Sequence, residues 1–130
     1  MGGPARSARV AVAMDVTRDE LVQRLGEESL TVLDVRTPGE YMGETGHPDD
    51  PRQGHIPGAR NVPLTDIFGL SPDRLRDLVG APEGSEVVAY CHTGSRSAMA
   101  VELLRAAGYD ARNYVGSWQE WSRDPDLPAE

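Results

Sequence analysis

Apolar positions in this chain fall into short runs and helical stripes, separated by polar stretches rich in Pro and Gly. Val10 to Met14 reads as an edge strand. Thr17-Arg-Asp-Glu20 then fits a capping box, in which the Thr17 hydroxyl serves an orphan amide and Glu20 reaches back. Leu21, Val22 and Leu25 share the face of the helix that follows, and Gly26 is its stop. Leu30 to Val35 is a β-branched apolar run of the kind that forms a buried parallel strand, expected at the centre of a sheet. From Thr37 to Gly58 the periodicity is lost, which predicts a long connection with one helical turn around Glu40-Tyr41-Met42; connections of that length are usually functional or mobile.

The second half repeats the alternation. A brief strand is expected at Asn61-Val62, and Ser71-Pro72-Asp73 starts a helix whose apolar side is Leu75, Leu78 and Val79. Pro82 and Gly84 break the chain before the apolar run Glu86 to Tyr90, which ends directly at Cys91. Ala100, Leu103, Leu104 and Ala107 recur at helical spacing and Gly108 closes that helix. A last short strand is expected at Asn113-Tyr-Val115, then a helical turn about Trp118 to Trp121. Strands alternating with helices predict an α/β sandwich around a mostly parallel sheet. The chain of 130 residues suffices for one core, expected over 10–130, with 1–9 as a small, basic lead-in too poor in apolar residues to pack.

Composition narrows the function classes. A formal charge of −8 repels polyanions, so neither nucleic acid nor an anionic membrane is an expected partner. No run near the start is long enough for a membrane span or a signal-peptide core, and the expected location is the cytoplasm. With one cysteine the chain forms no internal disulfide, and its scattered histidines (His47, His55, His92) match no metal-ligand spacing. A lone thiol is either an inert core residue or a reactive centre, and its neighbours decide which.

Cys91-His-Thr-Gly-Ser-Arg96-Ser97 stands where a strand C-terminus meets a helix N-terminus, the junction at which ligands gather in parallel sheets. Backbone amides of a tight loop containing Gly94 can converge on one point, the helix starting near Ser95 adds partial positive charge, and Arg96 adds a guanidinium. All three favour thiolate over thiol. A pKa lowered from ~8.5 to ~6.5 would stabilise the anion by roughly 2.7 kcal/mol and make it the majority species at neutral pH.

This loop, following Val-Val-Ala-Tyr, resembles the active-site loop of rhodanese sulfurtransferases. Leu33-Asp34-Val35-Arg36 with Glu40-Tyr41, then Gly54-His55-Ile56-Pro57-Gly58-Ala59-Arg60-Asn61-Val62-Pro63, resembles that family's first signature. Tyr114-Val-Gly116-Ser117-Trp118 with Trp121 and Leu127-Pro128 is similar to the C-terminal one in the catalytic half of two-domain thiosulfate sulfurtransferases. The resemblance implies a doubly wound three-layer fold with a central five-stranded parallel sheet. It also implies double displacement: Cys91 takes the outer sulfur of a thiosulfate-like donor and passes it from a persulfide to a thiol or cyanide, with no metal or organic cofactor. Cys91 is then the catalytic nucleophile, and His92, Thr93, Gly94, Ser95, Arg96 and Ser97 bind substrate. Asp34 and Arg36, charges at the end of a central strand that need partners, are expected to pair with loop groups, including the turn Gly54–Gly58, and to fix the floor below the active loop. Trp118 and Trp121 read as core residues, with Trp118 also placed to support the site by walling the pocket. His55 and Pro57 read as turn residues.

In some thiosulfate-using relatives basic residues stand two places after the Cys and in the early loop, where this chain has Thr93 and Glu40. Thiols, persulfides and a sulfur-carrier protein therefore stand beside thiosulfate as donors. Two rival readings share the fold. A phosphatase or arsenate reductase would carry a longer loop than the four residues between Cys91 and Arg96, and a reductase would need a resolving thiol. A non-catalytic regulatory module would commonly lack the Cys.

Overall fold

The computed structural model describes residues 15–130, so the expected lead-in at 1–9 and the strand expected at Val10–Met14 lie outside the described residues. Along the chain run β1 (Asp15–Val16), α1 (Arg18–Arg24), β2 (Leu30–Asp34), α2 (Pro38–Met42), β3 (Arg60–Asn61) and α3 (Leu64–Ile67). Then follow α4 (Pro72–Val79), β4 (Glu86–Tyr90), α5 (Ser95–Ala106), β5 (Asp110–Tyr114) and α6 (Ser117–Arg123). The five strands pair in the order β1-β5-β4-β2-β3, and every pairing is parallel. This is the expected doubly wound α/β architecture. The middle position belongs to β4, however, and β2 lies one strand in from the edge; both strands are apolar runs bonded on both sides, so pattern alone does not rank them.

Alternation along the strands sorts the core into two layers. Leu33, Val87, Ala89, Cys91 and Ala111 face one side, packing with Leu64 and Ile67 of α3, Leu75 and Val79 of α4, and Ala100, Val101 and Leu104 of α5. Val32, Val88, Tyr90 and Tyr114 face the other, with Leu21 of α1 and Trp118 and Trp121 of α6. Helices thus cover both faces of the sheet, which lets the strands be apolar on both sides.

Local rules account for most boundaries. Thr17 caps α1 by accepting from the Glu20 amide at 3.1 Å, but only half of the expected capping box forms: Glu20 turns to Arg112 on β5, at 2.6 Å. The complete box sits at α2, where Thr37 accepts from the Glu40 amide (3.2 Å) and the Glu40 carboxylate accepts from the Thr37 amide (3.2 Å). Ser71 and Pro72 start α4 as expected. Val22 and Leu78, placed on apolar faces by spacing, are instead exposed at the margins of those faces. The short helix α3 was not expected, since Leu64 and Ile67 alone give too little periodicity. Strand β3 begins one residue earlier than expected, and β5 starts at Asp110 and ends at Tyr114, leaving Val115 exposed; polar Asp110, Arg112 and Asn113 mask that strand in the sequence.

Candidate active site

Strand β4 delivers Cys91 to the carboxyl edge of the sheet, and the chain then turns through His92, Thr93 and Gly94 into α5. Gly94 has φ +94°, and a Cβ there would meet the Val115 carbonyl oxygen at 2.7 Å, so the turn admits glycine on both conformational and steric grounds. The Asn113 amide donates to the Gly94 carbonyl at 3.1 Å, tying the loop to β5. From the other side α6 grips the Cys91 peptide. The Ser117 hydroxyl accepts from the Cys91 amide (3.1 Å) while donating to the Tyr114 carbonyl (2.8 Å), and the Trp118 amide donates to the Cys91 carbonyl at 2.9 Å. Ser117 holds a left-handed φ of 57°, the one non-glycine described residue with positive φ. The sequence places Ser117 within the C-terminal signature but gives no sign of this role.

The Cys91 sulfur sits at the centre of that loop. It accepts from the Gly94 amide at 3.1 Å and from both the amide and the hydroxyl of Ser97 at 3.4 Å. Cys91 is buried, at 1 % exposure, so its surroundings decide its state. Burial pushes the thiol up, but the Ser97 hydroxyl and the amides of Ser97, Gly94 and Thr93 outweigh it and hold Cys91 below the ordinary thiol range. A buried sulfur facing donors is thus distinguished from a buried sulfur facing hydrocarbon.

Arg96, expected to face the sulfur, is engaged elsewhere. Its guanidinium makes a two-point pair with Glu40 of α2, at 2.9 and 3.1 Å. Burial pushes the Glu40 carboxyl up, but Arg96 and Thr37 overcome it and lower its pKa to about 2. His92 turns its Nε2 to the buried Asp50 carboxylate at 2.8 Å, and Arg123 takes the second oxygen of Asp50 at 2.9 Å. The ring of His47 stacks on that of His92 with centroids 5.3 Å apart. Nothing in the sequence separates Asp50 from the other acids of the long connection.

Below the loop, Asp34 and Arg36 pair with each other, which the sequence reading did not anticipate, both fully buried, with contacts of 2.6 to 3.1 Å. The Arg36 guanidinium also donates to the Gly54 carbonyl at 2.6 Å, as the turn reading required. Asp34 accepts from the Tyr90 hydroxyl at 2.8 Å, so each charge is hydrogen-bonded as well as paired. Trp118 takes the core role and does not wall a pocket: it is completely buried, with the Arg36 guanidinium 5.2 Å from its ring, and its indole donates to the Arg52 carbonyl at 3.0 Å. His55 stacks on Tyr41 at 3.7 Å and shares a hydrogen bond with its carbonyl (2.8 Å), a turn role. Thr93 and Ser95 complete the loop, Thr93 through its amide. Among the described residues no three His, Cys, Asp or Glu side chains converge as metal ligands do. Among them, too, no helix is long and apolar enough to cross a membrane.

Residues 17–124 match the rhodanese-like domain. The chain belongs to this family. It is 38 % identical over 124 residues to a thiosulfate sulfurtransferase of Azotobacter vinelandii, covering 88 % of this chain and 45 % of that protein. A crystal structure of a probable thiosulfate sulfurtransferase shares 44 % identity and superimposes with a TM-score of 0.78, covering 91 % of this chain and 48 % of the other. The rhodanese-like chain thus spans less than half the length of the first of these relatives. A human single-domain sulfurtransferase is matched over 98 % of its length and 87 % of this chain, at 30 % identity and a TM-score of 0.67.

Proposed function

We propose that this rhodanese-like domain transfers a sulfane sulfur through a persulfide on Cys91. The observation that carries the reading is the ring of donors on the Cys91 sulfur, supplied by Gly94 and Ser97, which favours an ionised nucleophile without any general base. The thiolate attacks the outer sulfur of a thiosulfate-like donor; the S–S bond of the donor breaks and sulfite leaves with the electron pair. The Cys91 persulfide that remains carries the same negative charge, one atom further out, within reach of the same loop dipoles. Cyanide or a thiol then attacks the outer sulfur, and the Cys91 thiolate is regenerated.

In this reading Thr93, Gly94, Ser95 and Ser97 form the anion-binding loop, and His92 lies at its rim, held by Asp50. Asp34, Arg36 and Trp118 fix the floor, since the sheet edge under the loop is built from their contacts. Names of relatives that carry sulfurtransferase activity support the same assignment. The partners are a small sulfur donor and a thiol or cyanide acceptor, with a sulfur-carrier protein as an alternative donor or acceptor.

Intact mass spectrometry after incubation with thiosulfate tests the proposal. One added sulfur atom, removed by cyanide and absent in Cys91→Ala, is the expected result. Phosphatase turnover without a sulfur adduct would favour the rival enzyme, and neither activity would favour a regulatory module.

A further inference from the structure

We infer that Glu40 is a specificity-determining residue: by occupying Arg96 it makes the site favour sulfur donors with one negative charge over dianionic donors such as thiosulfate. The inference rests on the sulfur-transfer reading and names the donor class within it.

Three guanidinium groups near the loop are paired with carboxylates. Arg36 is held by Asp34, Arg123 by Asp50, and Arg96 by Glu40. Arg96 is the one of these that opens α5 directly after the anion-binding turn, and its charge is coupled to that of Cys91. Its pair with Glu40 is bidentate, the fork-to-fork arrangement that fixes both partners. Glu40 is also the third residue of the α2 capping box, where the Thr37 amide (3.2 Å) and hydroxyl (3.1 Å) both reach Oε1. A carboxylate held by its own helix terminus and by a guanidinium does not swing away when a donor arrives.

The donor therefore meets amide dipoles, a thiolate and a neutralised Arg96, within a protein of net charge −8. The attraction that Arg96 would exert scales with donor charge, so its neutralisation by Glu40 deprives a dianion of twice as much as a monoanion. Thiosulfate and an alkyl thiosulfonate separate that effect from the chemistry. In both, the outer sulfur passes to Cys91 and the S–S bonding pair leaves with the oxidised sulfur, as sulfite in one case and a sulfinate in the other. The two differ in charge and in the alkyl group that replaces one oxygen, so it is the change of their ratio between variants that reads the charge.

The test compares kcat/KM for the two donors in the wild-type chain, in Glu40→Gln and in Thr37→Val. Gln suits the third position of a capping box, so the helix start is kept while the charge is removed. A ratio of two donors within one preparation is also insensitive to any unfolded fraction. Glu40→Gln should raise the thiosulfate-to-thiosulfonate ratio roughly tenfold, about 1.4 kcal/mol, mainly through KM for thiosulfate. The thiosulfate rate should also become more sensitive to salt, as expected of an unpaired Arg96. Thr37→Val weakens the cap without releasing Arg96 and should leave the ratio unchanged. An unaltered ratio in Glu40→Gln, with persulfide still forming from both donors, overturns the charge filter alone, as does an equal change in Thr37→Val. No persulfide from either donor in any of the three proteins overturns the sulfur-transfer reading and this inference with it.

Discussion

The Ser97 hydroxyl lies 3.4 Å from the Cys91 sulfur, and its own amide reaches the same sulfur at the same distance, so one residue supplies two of the donors that stabilise the anion. Hydrogen bonds to a charged group contribute roughly 1.5–3 kcal/mol. Ser97→Ala keeps the amide and removes the hydroxyl. It should raise the midpoint of the pH dependence of Cys91 alkylation by about one pH unit, as expected for the loss of such a bond. An unmoved midpoint would show that the backbone alone sets the ionisation.

Glycine at position 94 is required twice over, by its φ of +94° and by the Val115 carbonyl oxygen, 2.7 Å from where an alanine methyl would sit. Gly94→Ala should destabilise the fold by roughly 1–3 kcal/mol and also abolish sulfur loading at temperatures where the protein remains folded. Denaturant midpoints and intact mass, measured on one preparation, check both halves.

Arg36→Met leaves the Asp34 carboxylate buried with Tyr90 as its remaining side-chain donor. Breaking a buried pair in this way costs about 3–5 kcal/mol, so the variant should unfold at markedly lower urea concentration. Replacing both members, Asp34→Leu with Arg36→Met, should recover part of that loss.

The pair of Glu40 and Arg96 carries a pH signature. The Glu40 pKa is depressed, to about 2 in the folded chain, so its contribution to stability is fully present above the ordinary carboxylate range and is lost as pH falls toward 2. Stability measured between about pH 5 and pH 2 should therefore fall less steeply in Glu40→Gln than in the wild-type chain. Equal slopes would mean that the pair is not formed in solution.

How far these features could be read in advance depended on their range. Strand β4 was legible residue for residue because it is a short, mostly apolar run closed by Pro82 and Gly84 on one side and by Cys91 on the other. The Cys91 loop was legible because its chemistry is contiguous in sequence. Arg96 was legible as a cation, yet its partner lies 56 residues away on α2, and nothing local marks Glu40 as the carboxylate that reaches it. Asp50 was hidden for the same reason, since it meets His92 and Arg123 across 42 and 73 residues. Strand β5 was half hidden because Asp110, Arg112 and Asn113 are polar positions whose partners, Glu20 for Arg112 and Gly94 for Asn113, come only with the tertiary fold. The sequence thus spoke for contiguous chemistry and period, and was silent on long-range ion pairs.

A chain with a single cysteine offers no internal thiol to discharge a persulfide. The loaded form should persist through gel filtration, and release its sulfur only on addition of cyanide or a thiol. Loss of the added mass in buffer alone would contradict this.

The same single cysteine makes the most direct test a clean one, because thiolate absorbance in the ultraviolet reports on Cys91 once the Cys91→Ala spectrum is subtracted. Titrated from acid to alkali, the difference signal should rise with a midpoint below the ordinary thiol range. A midpoint at or above about 8.5, the value of an unperturbed thiol, would contradict an ionised sulfur in an amide ring and with it the assigned chemistry.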